Sequence, residues 1–119
     1  MIKHVKRFKL YTPQLQEATE FYLQLGLVLE SRVNTRANYQ SATFSFAAGG
    51  PQLLLHDDPL LQFTDIELAV DDLRSTYQEL KTNANLLWLQ LPNKQGSEWQ
   101  ARVRAPDGNI FLLSQVGFD

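Results

Sequence analysis

Glu20-Phe21-Tyr22-Leu23-Gln24-Leu25-Gly26-Leu27 near the start of the chain and Ala105-Pro106-Asp107-Gly108-Asn109-Ile110-Phe111-Leu112-Leu113 near its end decide how the rest is read. The first stretch closes an amphipathic helix. Leu15, Ala18, Phe21, Tyr22 and Leu25 recur at three- and four-residue steps, which makes one apolar stripe. Gly26 is a natural stop, because glycine alone enters the left-handed region without steric cost. Thr12-Pro13 opens the same helix, threonine as N-cap and proline as first helical residue. The second stretch is a tight turn, Pro106-Asp107-Gly108-Asn109, feeding an apolar strand from Ile110 to Gln115.

Around these two anchors the chain spells one pattern twice. Residues 3–11 read as a strand, with Phe8 and Leu10 on one face and Val5, Arg7, Lys9 and Tyr11 on the other. After the helix, residues 27–33 read as a strand and Asn34 to Asn38 as a polar loop. Ser41 to Phe46 alternates as a strand with Ala42, Phe44 and Phe46 on one side, and Gln52 to His56 is another strand beyond the Gly49-Gly50 turn. The order β-α-β-β-β then begins again. Phe63 to Val70 is a strand, and Asp71-Asp72 offers an N-cap. Leu73, Tyr77 and Leu80 mark a helix, and Leu86 to Gln90 a strand. A polar loop follows over Asn93 to Glu98, and Trp99 to Arg104 is a strand before the turn. Phe21, Tyr22 and Tyr77 lie on the helix stripes and are expected in the core.

With 119 residues, the chain has the size of one domain. A net charge of −2 and scattered Lys and Arg leave no basic stripe for nucleic acid. There is no cysteine, hence no disulfide framework, thiolate metal site or thiol nucleophile. This composition, without a signal-peptide stretch or a membrane-length apolar run, points to a cytoplasmic protein.

The two anchoring stretches resemble the FYxxLGL and DPDGNxxxL signatures of the vicinal oxygen chelate superfamily, which includes glyoxalases, bleomycin resistance proteins and extradiol dioxygenases. The one departure is Ala105, where the family has Asp. The resemblance covers nearly the whole chain. It implies an α+β fold: two tandem βαβββ units, about 1–57 and 62–119, forming an open, cup-shaped mixed β-barrel flanked by helices within a single domain. It also implies a homodimer.

The enzymes of that family hold a divalent metal with four side chains, and the resemblance places those positions at Arg7, Leu54, Asp65 and Leu112. A guanidinium has no lone pair to give, two positions are aliphatic, and a metal needs three or four convergent donors. His4 lies an odd number of residues from Arg7 and so points to the other face of its strand. No metal or other cofactor is therefore expected. The same parity puts Arg7 and Lys9 on the cup face of the first strand and Asp65 and Glu67 on that of the fifth. Either they form ion pairs, Arg7 with Asp65 and Lys9 with Glu67, or they are solvated strand residues.

The expected function is small-molecule binding in a cup-shaped pocket lined by Arg7, Lys9, Tyr11, His56, Asp65, Glu67 and Trp99, with no catalytic residue assigned. Trp99 has a second reading as a tryptophan that supports the sheet. One rival is a metal-dependent lyase, isomerase or dioxygenase with a remodelled site around His56, Asp65 and Glu67. The other is a non-catalytic interaction module whose cup is filled by its own side chains. Nucleic-acid and membrane partners are not expected.

Overall fold

The structure, a computed structural model, describes residues 1–34 and 39–116. Eight strands and two helices follow the order β1 (Ile2–Tyr11), α1 (Leu15–Gln24), β2 (Val28–Asn34), β3 (Gln40–Ser45), β4 (Gln52–His56), β5 (Asp65–Val70), α2 (Leu73–Leu80), β6 (Leu87–Gln95), β7 (Glu98–Arg104) and β8 (Ile110–Val116). The fold is α+β, with eight strands in mixed pairing and two helices, four strands and one helix to each half of the chain. The loop expected over Asn34 to Asn38 falls, from residue 35 on, outside the described residues. No helix among the described residues is long and apolar enough to cross a membrane.

The chain divides into two compact units, residues 6–65 and residues 1–5 with 66–119. The first five residues thus join the second unit rather than the first. The amino group of Met1 donates to Asp71 Oδ1 at 2.8 Å, and the Asp71 N–H donates to the Met1 carbonyl at 3.2 Å.

In the unit of residues 6–65 the strands lie in the order β2-β3-β4-β1. β1 runs parallel to β4, and β4-β3 and β3-β2 are antiparallel. Leu15, Ala42, Phe44, Leu53 and Leu55 are buried together, with Phe8, Leu10, Ala18 and Tyr22 packed around them. Burying an aliphatic or aromatic side chain of this kind stabilises by about 1.5–3 kcal/mol. Phe21 departs from expectation. It is 53% exposed and stands edge-on against the buried side's Tyr22. Leu25, just past the helix, is exposed as well, so the stripe read from the sequence was two residues too wide, and Thr19 takes an inward place. Phe46 also lies outside, because β3 ends at Ser45. α1 begins later than Thr12-Pro13 suggests. Its N-cap is Gln14, and the Thr12 hydroxyl accepts the Gln14 N–H at 3.2 Å, so the threonine shapes a turn just ahead of the helix.

In the second unit β5 runs parallel to β8, and β8-β7 and β7-β6 are antiparallel. Val70, Leu73, Ala101, Val103 and Leu113 form its core beneath α2, with Leu68, Trp88, Trp99 and Phe111 around them. Asp72 caps α2 as expected, accepting the Ser75 N–H at 3.1 Å. Gln115 reaches over from β8 to accept the Leu73 N–H at 2.7 Å, which satisfies a second open donor of the helix start. The segment read as a polar loop, Asn93 to Glu98, is instead a hairpin tip. The β6–β7 ladder continues through Asn93–Gln100, Lys94–Trp99 and Gln95–Glu98. Only Gly96-Ser97 turn, with Gly96 at φ +62°, as a two-residue hairpin requires. The expected turn before β8 is present. Ala105 N–H donates to the Asn109 carbonyl at 2.8 Å, and Gly108 sits at φ +91°.

Candidate functional site

The β1–β4 register builds the polar face of the first unit. Arg7 lies opposite Gln52, Lys9 opposite Leu54 and Tyr11 opposite His56. Side chains alternate along a strand, and paired residues share a face. Arg7, Lys9, Tyr11, Gln52, Leu54 and His56 therefore stand on one side. Phe8, Leu10, Leu53 and Leu55 stand on the other, in the core under α1. β3 extends the polar side with Ser41 opposite His56 and Thr43 opposite Leu54.

His56 is held from several sides on this face. It is buried, and its Nδ1 accepts the Asp58 N–H at 3.2 Å. The Tyr11 ring meets it edge-on at 5.9 Å, and its carbonyl accepts the Thr12 N–H at 2.8 Å. Burial holds its pKa below the usual imidazole value. Lys9 pushes the same way, and the carboxylates of Asp58, Asp57 and Asp65 pull back against it. A neutral ring whose Nδ1 lone pair is engaged carries its proton on Nε2, which makes Nε2 a hydrogen-bond donor.

Asp65 is buried at the start of β5, close enough to His56 to act on its charge. In the second unit Glu67 is buried too. It lies opposite Leu112, which lies opposite Arg102, which lies opposite Gln90. The next row holds Ala69, Ser114, Gln100 and Asn93. Reading by motif missed Ser114. Its hydroxyl is buried and has no hydrogen-bond partner among the described residues. The signal was available as a polar residue interrupting the apolar run of Phe111, Leu112 and Leu113.

Trp99 stands elsewhere. It shares the α2 side of the sheet with Ala101 and Val103, under the guanidinium of Arg74 at 4.7 Å, on the opposite face from Glu67 and Arg102. Strand parity predicts this placement, since Gln100 and Arg102 alternate with Trp99, Ala101 and Val103. Of the seven residues named from the sequence, Arg7, Lys9, Tyr11 and His56 are gathered on one face of the first unit.

The residues at the metal positions do not fit a metal. Arg7 and Leu54 share the polar face, and Leu112 pairs with Glu67, so three of the four positions offer no lone pair. His56 could serve only by giving up its Nδ1 bond, because Nε2 carries the proton. Among the described residues, no three His, Asp or Glu side chains come together as metal ligands.

By sequence, no family model and no curated protein matches the chain. By structure it is similar to methylmalonyl-CoA epimerase from Mycobacterium tuberculosis, with TM-score 0.77 and 13% identity over 98% of this chain and 90% of that one. It is similar to a hypothetical protein from Bacillus halodurans C-125, with TM-score 0.76 and 15% identity over 97% and 95% of the two chains. A glyoxalase/bleomycin resistance protein/dioxygenase superfamily member from Vibrio splendidus 12B01 aligns with TM-score 0.71 and 18% identity over 93% and 97%. At these identities the likeness is one of fold, and it is the fold that the two signature stretches imply.

Proposed function

We propose, with that shared fold as premise, that the protein binds a small molecule against the polar face of its first unit and uses no catalytic metal. One observation carries the reading: the β1–β4 register, which sets Arg7, Lys9, Tyr11 and His56 on a single side of the sheet. Sequestering a ligand needs shape and a few fixed polar groups, and no reactive residue. The Tyr11 hydroxyl and the His56 Nε2–H are both donors, so the ligand class is a molecule offering acceptor oxygens. Asp65, buried in the same unit, belongs to the proposed set as an acceptor for any N–H or O–H it carries. The reading includes a cytoplasmic homodimer, supported by the absence of cysteine and by exposed leucines along β6.

The test has two arms. Elemental analysis and calorimetric titration with Zn²⁺, Mn²⁺, Fe²⁺ and Ni²⁺ are expected to show no stoichiometric binding. One tightly held ion per chain would overturn the metal-free reading. The protein would then be a metal-dependent lyase, isomerase or dioxygenase, and His56, Asp65 and Glu67 would be the first positions to change. A thermal-shift screen of oxygen-rich small molecules is expected to give stabilising compounds whose effect weakens in Tyr11→Phe and in His56→Gln. Compounds that stabilise both variants as well as the parent would move the site off this face.

A further inference from the structure

The second unit carries a groove that the proposed site does not use. It lies between α2 and the β6–β7 hairpin, has a volume of about 370 Å³, and is lined by Arg74, Tyr77, Gln78, Leu91, Pro92 and Trp99. Its volume is that of a small-ligand site. Arg74, Tyr77 and Gln78 are spaced i, i+3 and i+4 and so share one flank of α2. Tyr77 is fixed from behind by Trp88, edge-on at 4.9 Å. The β6–β7 register shifts between Gln90 and Asn93, so Leu91 and Pro92 fall in an irregularity of the ladder. Proline is tolerated there because no ladder N–H is needed. Leu91 is left 58% exposed.

Among the described residues Arg74 is the one charged side chain lining the groove, and Lys94 lies directly opposite Trp99 on the same side of the sheet. The guanidinium of Arg74 rests over the Trp99 ring at 4.7 Å and makes no ion pair among the described residues. A stacked guanidinium keeps its N–H edge available for a carboxylate, which it can take with two parallel hydrogen bonds. Tyr77, Trp99 and Pro92 offer flat apolar surfaces beside it.

From these residues we infer a second binding site, specific for a flat aromatic ring that bears an acid group. The ring lies against Tyr77, Trp99 and Pro92, and the acid group pairs with Arg74, with Lys94 adding charge at the rim. All six lining residues belong to the second unit, and Trp99 points to the α2 side of its sheet.

The test titrates the full chain with 2-naphthoate and follows the tryptophan indole N–H signals by NMR. The Trp99 signal, identified by its loss in Trp99→Phe, is expected to shift saturably. If that variant does not fold, Trp88→Phe identifies the signal by difference. Arg74→Gln is expected to weaken binding about fivefold or more, the size of one cation contact to an acid or a ring. The uncharged isostere 2-naphthol is expected to bind more weakly by a similar factor. The inference is overturned if the Trp99 signal does not move, or if Arg74→Gln and the parent bind 2-naphthoate equally.

Discussion

His56 is the residue where burial, hydrogen bonding and charge meet. Its folded-state pKa is depressed, chiefly by burial. A depressed histidine stabilises the fold while it is neutral. That contribution is whole above the unfolded value of about 6.5 and is lost as pH falls below it through the folded value. Thermal melts from neutral pH down to about pH 5 should therefore show a falling Tm. His56→Gln should flatten that slope, since glutamine takes up no proton. Equal slopes in parent and variant would mean that His56 is not what titrates. The sequence located His56 at the end of a strand beside Asp57 and Asp58. It did not show that the Asp58 N–H would occupy Nδ1, because that bond depends on how the chain turns after β4.

Among the elements, the two helices carry opposite lessons about capping. Asp72 and Thr12 look alike in sequence, each a favoured N-cap residue ahead of an apolar stripe. Only Asp72 accepts a helix N–H, that of Ser75, and α1 has no side-chain cap at Gln14. Asp72→Ala should destabilise by about 1 kcal/mol and Thr12→Ala by less, as read by urea unfolding. The reverse order would mean that the cap geometry differs in solution. The hairpin makes a related point. Asn93 to Glu98 is polar and contains glycine, so it reads as a loop, yet six residues need only a two-residue turn once both strands have partners to pair with. Composition reports exposure, and this hairpin tip is exposed while remaining strand.

For the whole molecule, the exposed apolar side chains frame the prediction of assembly. β6 stands at the end of its unit's strand order and leaves Leu87, Leu89 and Leu91 exposed at alternate positions. A row of this kind on an edge strand is a site for association unless it is covered. Light scattering after gel filtration should give twice the chain mass, and Leu89→Glu should shift it toward the monomer. A monomeric parent would remove the homodimer from the proposed function.

The repeated βαβββ order, the turn before β8, the cap of α2 and the two faces of β1 were all legible in the residues alone. Each of these follows from short-range periodicity and local backbone preference, which a few neighbouring residues fix. The unsuitability of Arg7, Leu54 and Leu112 for a metal was legible too, since it is a matter of side-chain chemistry. Which residues meet across strands came from the folded chain alone: Tyr11 with His56, Arg74 with Trp99, and Trp99 with the helix side rather than with Glu67. Those meetings depend on register and on the packing of elements far apart in the chain, and a change of one residue in register turns a strand's side chains to the other face.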